Sequence, residues 1–141
     1  MRIVRLADLA GTSREVDAGN WLSRRLVLAE ADVGFSFHDT LVHAGTRNEM
    51  WYRHHVESVY CVEGRGRLTN VATGEIHEIT PGTLYLLDNH DKHVLEAITT
   101  MRMMCVFTPA VTGTETHQAD GSYAPPSDDG DHPSEQERTT A

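Results

Sequence analysis

The chain has 141 residues, 39% of them hydrophobic, and a formal net charge of -9 at pH 7. This size and apolar content suit one domain with one core, and no apolar stretch approaches the roughly 20 residues that span a bilayer. The acidic balance, without any Lys/Arg cluster, excludes nucleic acid as a partner and leaves a small molecule as the expected ligand.

The chain begins with short apolar steps that charged residues interrupt. Arg2, Arg5 and Asp8 break up this stretch, so it lacks the continuous apolar run of a signal peptide. We therefore expect a cytoplasmic protein with no membrane partner. A short helical piece is expected around residues 6–10. Cys61 and Cys105 are expected to remain free thiols, because a domain of this size does not need a disulfide.

Segments with strand character follow, separated by Gly, Pro, Asn and Asp. In residues 20–28, side chains alternate between two faces of a strand: Trp21, Ser23, Arg25 and Val27 on one face, and Leu22, Arg24, Leu26 and Leu28 on the other. Similar segments lie at 34–45, 56–71, 74–98 and 100–109. This period of two, at this spacing, predicts an all-β antiparallel sandwich or barrel. Polar residues on one face of the strands predict a binding cavity inside it.

The end of the chain has a different composition. Residues 124–141 contain five acidic residues and one arginine, three prolines and no large apolar side chain. Such a segment cannot bury enough surface to offset the entropy lost on ordering. We predict one folded domain over residues 1–123 and a disordered acidic tail over 124–141.

The first of two spaced motifs follows the pattern of the cupins, whose double-stranded β-helix is a jelly-roll barrel. Gly45, Glu57 and Gly64 occupy the glycine and carboxylate positions of the first cupin motif. The two histidine positions of that motif hold Trp51 and Arg53 instead. The scaffold positions therefore match while the usual ligands are replaced.

The second cupin motif shows the same combination. Gly74, Gly82 and Asn89 match the motif, and Pro81 lies one place late. The histidine position holds Tyr85. The pattern predicts a cupin barrel with an altered ligand set, and spacing alone leaves a metal site and a metal-free cavity equally open.

The stretch "YRHHVES" at residues 52–58 contains two histidines beside a carboxylate. Because alternate side chains of a strand point to opposite faces, His55 shares a face with Glu57 while His54 faces away. A nitrogen ligand for a site at Glu57 could come from His55 or from the segment "DNHDKH", which contains His90 and His93. The residues alone leave these candidates open.

Several stretches together resemble one enzyme family. They read "REVDAGNWLSRRL", "GFSFHDT", "HHVESVYCVEGRG", "PGTLYLLDNHDKH", "MRMMCVFTPAVTGTETH" and "DGSY". They are similar to ectoine synthase, a cupin enzyme that makes a compatible solute used under osmotic stress. The resemblance runs from Ile3 to Tyr123. It is weaker at "RNEMWYRHH", residues 47–55, where the amino-acid sequence differs from the usual sequence of the family.

The resemblance implies an activity, a cofactor and an assembly. The enzyme would be a carbon-oxygen hydro-lyase that closes N-gamma-acetyl-L-2,4-diaminobutyrate into a ring with loss of water. Its cofactor would be Fe(2+), acting as a Lewis acid on the amide carbonyl, and the protein would be a homodimer. Iron suits a set of two oxygen ligands and one imidazole.

The resemblance also implies site residues, carried over position by position. The metal ligands would be Glu57, Tyr85 and His93. The residues that transfer protons would be Tyr52, Glu115 and His117. The substrate would meet Trp21, Ser23, Arg25, Thr40, His55, Leu87, Asp91, Cys105 and Phe107. Within this set Arg25 is the natural clamp for the substrate carboxylate.

Two other readings compete with the ring-closing lyase. A cupin that binds or senses a small zwitterion would need neither metal nor proton-transfer groups. An iron-dependent cupin dioxygenase would use the histidine ligands that are absent here. The acidic, tyrosine and histidine positions count against the first reading, and the missing histidines count against the second.

Overall fold

The computed structural model describes residues 1–113, and within them β-strands dominate. Two short 3₁₀ helices, Leu6–Asp8 and Ala29–Ala31, are the helical pieces of this part of the chain. The strands are β1 Glu15–Asp17, β2 Trp21–Val27, β3 Ser36–Val42, β4 Arg47–Met50, β5 Val56–Glu63, β6 Gly66–Asn70, β7 Ile76–Ile79, β8 Leu84–Leu87, β9 His93–Ala97 and β10 Met101–Thr108.

The strands form two antiparallel sheets. The larger has the order β1-β2-β3-β10-β5-β8, and the smaller has the order β4-β9-β6-β7. Strands that are distant in sequence become neighbours: β10, near the end of the described chain, pairs with both β3 and β5. This arrangement of two sheets is the predicted all-β jelly-roll architecture.

The core lies between the sheets and follows the alternation of the strands. In β10 the side chains of Met101, Met103, Cys105 and Phe107 are buried, whereas the residues between them are less so. Each of these four is aligned with an inward residue of β3, and the resulting inner face is partly polar, because Ser36 is fully buried on it. The period of two thus places polar groups inside, as expected.

The prediction and the structure differ in detail. Two strands, β1 and β4, were not expected, since each is only three or four residues long and carries little apolar alternation. The segment 74–98 contains three strands, because Gly82 turns the chain at φ 92° and residues 88–92 carry it from the larger sheet to the smaller one.

Three further expectations concern the chain as a whole. Cys61 and Cys105 are both free and buried, as predicted. No helix within residues 1–113 is long and apolar enough to cross a membrane. The end of the domain at residue 123 and the acidic tail over 124–141 lie outside the described residues and remain predictions.

Candidate active site

A half-open cavity lies between the sheets, and its empty space, together with the open solvent at its mouth, amounts to about 420 Å³. Its lining residues are Trp21, Ser23, His38, Thr40, Val42, Asn48, Met50, Tyr52, Glu57, Leu95 and Phe107. Six of the predicted site residues are therefore on one surface. They come from β2, β3, β5, β10 and the loop before β5, so the sheet pairing, rather than proximity in sequence, assembles the site.

Glu57 supplies the carboxylate of this cavity. It is 6% exposed and is aligned with Phe107 on one side and Leu87 on the other. Burial raises the pKa of Glu57 to about 8, although a hydrogen bond with the Cys105 thiol acts in the opposite direction. A carboxylate this poorly solvated is stabilised by a cation more than by any neutral neighbour.

A second cavity lies beside β7 and β8. Its lining residues are Leu68, Asn70, His77, Tyr85, Leu86, Leu87, Asp91 and His93. The three predicted metal ligands are thus divided between the two cavities, with Glu57 in the first and Tyr85 and His93 in the second. His93 links them, because its ring lies 6.1 Å from that of Tyr52 and 6.4 Å from that of Tyr85, measured between centroids.

Tyr85 reaches the interior from the strand next to Glu57. The two lie two register positions apart on paired strands and share the inward face, since Tyr85 is aligned with Val59. Burial raises the pKa of the Tyr85 phenol well above its usual value, and the charge of Glu57 raises it further. A phenolate would therefore form here only beside a strong positive charge, such as a metal ion.

His93 approaches from the smaller sheet, where it is aligned with Met50 and Asn70. Its Nδ1 donates to the backbone oxygen of Asp91 at 2.9 Å. Its buried Nε2 has no hydrogen-bond partner within the described part of the chain. Burial lowers the pKa of His93, so the ring is neutral with a lone pair on Nε2. This is the tautomer and orientation that a metal-ligating histidine adopts.

The chemistry of this set fits a metal ion. The buried Glu57 carboxyl, the partly buried Tyr85 phenol and one oriented imidazole provide two oxygen donors and one nitrogen donor, an arrangement suited to Fe(2+). No group of three His, Cys, Asp or Glu side chains within residues 1–113 has metal-binding geometry. The predicted set contains only two side chains of these four types, Glu57 and His93, because its third member is Tyr85.

The remaining predicted residues occupy different positions around the cavities. Arg25 is 2% exposed, does not line the first cavity, and donates to Ser23 Oγ at 3.3 Å and to the Gly113 oxygen at 3.4 Å. His55 is buried with its ring edge-on to Phe107, at 5.9 Å between centroids. Leu87 and Asp91 belong to the second cavity. Cys105 lies on the inner face beside the first.

Two predicted residues cannot be placed. Glu115 and His117 lie outside the described residues, so their proton-transfer roles remain predictions.

His54 is exposed, in agreement with its expected outward direction. Tyr52 is 5% exposed, with its ring edge-on to Phe107 at 5.0 Å.

The sequence reasoning missed Asn48 of β4, a buried polar residue of this cavity, and it also missed His38. His38 is 2% exposed and lies on the cavity wall between Ser23 and Glu57 in strand order. Its position on the same face as Thr40 in the alternating segment 34–45 was a usable signal. No resemblance pointed to it, and lone histidines on strands are most often structural.

Comparison with protein families decides between the competing readings. The family model for ectoine synthase matches residues 1–127. The chain belongs to the ectoine synthase family. The expected family and its hydro-lyase activity are confirmed, in preference to a sensor or a dioxygenase.

Individual members of the ectoine synthase family match over most of their length. The L-ectoine synthase of Mycolicibacterium gilvum is 55% identical over 87% of this chain and 95% of that protein. The L-ectoine synthase of Thermobifida fusca is 53% identical over 84% of this chain and 88% of the relative.

Solved structures agree with the fold. The crystal structure of ectoine synthase from P. lautus superposes with a TM-score of 0.81, at 47% identity, covering 86% of this chain and 87% of that one. The polyketide cyclase RemF from Streptomyces resistomycificus superposes with a TM-score of 0.64 at 20% identity, covering 77% of this chain and 79% of its own. The latter likeness concerns the fold alone, and the predicted cupin barrel is confirmed.

Proposed function

We propose that this ectoine synthase closes N-gamma-acetyl-L-2,4-diaminobutyrate in the first cavity. The observation that carries the proposal is the buried Glu57, which has no cationic partner within residues 1–113, on the wall of a half-open and mostly apolar cavity in a chain of this family. Such a wall suits a small zwitterion with an apolar middle and polar ends. The substrate, the cofactor and the assembly are all parts of the proposal.

The proposed reaction needs no oxidant or reductant. The α-amine nitrogen forms a bond to the acetamide carbon, and the bond from that carbon to its oxygen breaks. The oxygen leaves as water, with both hydrogens supplied by the nitrogen atoms of the substrate. The task of the protein is to fold the chain so that amine and carbonyl meet, to remove protons from nitrogen and to deliver them to oxygen.

Glu57, Tyr85 and His93 would hold Fe(2+) between the two cavities. When bound, the ion supplies a Lewis acid that draws charge from the amide carbonyl, which is a poor electrophile by itself. The support for iron is the donor set described above: the Glu57 carboxyl and the Tyr85 phenol, whose ionised forms are disfavoured by desolvation, and the oriented Nε2 of His93.

The aromatic residues of the cavity have a positioning role. Trp21, Tyr52 and Phe107 stand around the space where the substrate methylenes would pack, and they keep bulk water from the reacting amine. The geometry supports enclosure, because the rings of Tyr52 and Phe107 meet edge to face at 5.0 Å.

The polar residues divide between substrate binding and proton transfer. Ser23 and Thr40 offer hydroxyl groups on the cavity wall, with the cationic Arg25 directly behind Ser23. A carboxylate bound at Ser23 would be stabilised by that charge at short range. Glu115 and His117 remain candidates for moving the protons, together with Tyr52.

The outer face of the larger sheet supports a homodimer. Leu84, Leu86 and Tyr60 are 56%, 49% and 45% exposed, and register aligns Tyr60 with Leu84 and Met104 across three strands. An apolar strip of this kind on a sheet face fits a second copy of the chain. Sedimentation at micromolar concentration tests this, with Leu84→Lys expected to give monomers. We also propose that the protein is located in the cytoplasm.

A direct assay tests the function. Iron-loaded protein is incubated with N-gamma-acetyl-L-2,4-diaminobutyrate, and mass spectrometry is used to look for a product lighter by one water. The expected result is conversion that depends on iron and stops with a chelator. Iron-loaded protein that leaves the compound unchanged would contradict the proposal, and a product that had gained oxygen would indicate a dioxygenase.

A further inference from the structure

His38 is a buried polar residue to which the proposed reaction assigns no role. It lies in the middle of β3, aligned with Arg25 of β2 on one side and with Cys105 of β10 on the other. Only 2% of it is exposed, and it lines the same cavity as Glu57. Its Nε2 has no hydrogen-bond partner within the described part of the chain.

An unsatisfied nitrogen at this depth needs an explanation. Burying a polar group without a partner costs about 1–3 kcal/mol, so native proteins seldom leave one. Phe107 covers one side of the His38 ring, at 5.1 Å between centroids, and offers no hydrogen-bonding atom. His38 is also one of the residues that line the first cavity. The partner that residues 1–113 do not supply is therefore expected to be the ligand.

The charge state of His38 limits what that partner can be. Burial, followed by the charges of Arg25 and His55, lowers its pKa to about 3, so the imidazole is neutral at physiological pH. A neutral imidazole has one N–H donor and one acceptor nitrogen. It can accept a hydrogen bond from an amine without adding a second positive charge beside Arg25.

The order of strands indicates which part of the substrate reaches it. From Glu57 on β5, the sheet runs through Phe107 on β10 to Ser36 on β3, and His38 lies two residues further along β3, about 12 Å from Glu57 between backbones. Ser23 and Arg25 follow on β2. An acetamide placed near Glu57 thus directs the amino-acid head of the same molecule toward His38 and Ser23.

We propose that His38 contacts the substrate directly, accepting a hydrogen bond at Nε2 from the α-amine and so orienting that nitrogen toward the acetamide carbon. This inference rests on the proposed function, since it presumes that substrate. It makes His38 the residue that distinguishes an α-amino acid from the same chain without the amine. The carboxylate is held on the next strand, at Ser23 with Arg25 behind it.

The test compares the substrate with 4-acetamidobutyrate, which has the same chain and carboxylate but no α-amine and cannot cyclise. In the iron-loaded full-length protein, His38→Leu should raise the KM for the substrate about tenfold, the value of one hydrogen bond. The inhibition constant of 4-acetamidobutyrate should stay within about twofold, because it never made that bond. General damage to the cavity would weaken both compounds together.

A conservative variant completes the experiment. His38→Gln keeps an acceptor oxygen near the same place, and it should restore the KM to within about threefold of the original protein. If His38→Leu does not fold, the KM values of His38→Gln and His38→Met are compared instead. The first variant keeps an amide acceptor, and the second has none. Equal changes for both compounds, or no change for either, would overturn the role of His38.

Failure of the proposed function gives a separate result. If the unaltered iron-loaded protein neither converts the substrate nor is inhibited by 4-acetamidobutyrate, the substrate itself is wrong, and with it both proposals. Turnover and inhibition that are normal in the unaltered protein, with the two compounds responding equally to His38→Leu, overturn the inference about His38 alone.

Discussion

His93 and Asp91 are joined by a hydrogen bond from a ring nitrogen to a backbone oxygen, at 2.9 Å. The bond holds the Nδ1 hydrogen and leaves the buried Nε2 with its lone pair toward the interior. It uses the main chain of Asp91, so the side chain of that residue is not needed for it. The first prediction follows from this separation.

His93→Ala should abolish iron binding, because it removes the nitrogen donor from the set that includes Glu57 and Tyr85. Asp91→Ala is the matched control: it keeps the backbone oxygen and should keep at least half of the iron. Metal content measured by plasma mass spectrometry after desalting distinguishes the two. Full iron in His93→Ala would remove this residue from the ligand set.

Glu57 should make the stability of the metal-free protein depend on pH. Its folded-state pKa, raised from 4.5 to about 8, means that the folded protein holds a proton that the unfolded chain releases. The free energy of unfolding should therefore fall as pH rises from about 4.5 to about 8. Glu57→Gln should flatten this slope.

The comparison is made on chelator-treated protein by urea unfolding at several pH values. Restoring iron to the original protein should increase stability most at the upper end of this range, where the carboxylate is charged. A slope that is the same in Glu57→Gln and in the unaltered protein would show that Glu57 does not titrate in this range.

Asp39 forms an ion-pair cluster on the opposite face of β3. Its carboxylate, 3% exposed, accepts from Arg24 at 2.6 Å and from Arg102 at 2.7 Å. Burial alone would raise the pKa of Asp39, but the hydrogen bonds from both arginines outweigh it, and the net pKa lies below the usual value.

Asp39→Asn should destabilise the protein by about 2 kcal/mol at pH 7, since charge-assisted bonds are lost while both arginines keep access to water. The stabilisation is present above the unfolded pKa of 3.8 and is lost as pH falls through the lower folded value. The difference in stability between Asp39→Asn and the original protein should therefore become smaller at low pH. Thermal melting at pH 7 and pH 3 measures it.

Trp51 ties together the two loops that carry site residues. Its Nε1 donates to the His90 oxygen at 2.8 Å, and its ring packs under Arg53 at 4.9 Å and Lys92 at 5.5 Å. The His90 ring in turn contacts the backbone oxygen of Tyr52 at 3.0 Å. The loop before β5 and the turn before β9 are thus held as one unit.

Trp51→Ala should lower kcat/KM by about tenfold, because Tyr52 and His93 lose their common support. Trp51→Phe keeps the cation–π packing but loses the N–H donor, and an intermediate effect is expected. Hydrogen exchange of residues 51–55 should rise in both variants. Unaltered exchange and turnover in Trp51→Ala would show that the loops hold their positions independently.

Gly64 is required by close packing as well as by its backbone angle. A Cβ at this position would lie 2.2 Å from the Thr100 oxygen and 2.6 Å from the Met101 Cα, and its φ is +91°. Gly64→Ala should therefore cost at least about 3 kcal/mol. Gly74, at φ +79° with open space around it, is the control, and its replacement by Ala should cost about 1 kcal/mol. Equal melting temperatures for the two variants would contradict the steric argument.

Local pattern was enough to predict much of the fold. Alternation in the segments 20–28, 34–45 and 100–109 predicted strands, and the structure places β2, β3 and β10 within them. The strands β1 and β4 could not be found in this way, because three or four residues give too short a pattern and their pairing to β2 and β9 stabilises them. The turn at residues 88–91 could be predicted from the sequence, but the change from the larger sheet to the smaller one could not.

The sequence by itself determined the family, the barrel and the identity of the candidate ligands. The barrel depends on residue types at set spacings, whereas Glu57, Tyr85 and His93 are the ligands that the resemblance to ectoine synthase implies. Only the tertiary structure decided that His93 approaches from the opposite sheet, that Arg25 lies behind Ser23, and that His38 lines the cavity with no partner for its Nε2 within residues 1–113. The physical reason is that alternation gives the side of a strand, whereas long-range strand pairing decides which sides meet and what each buried polar group finds there.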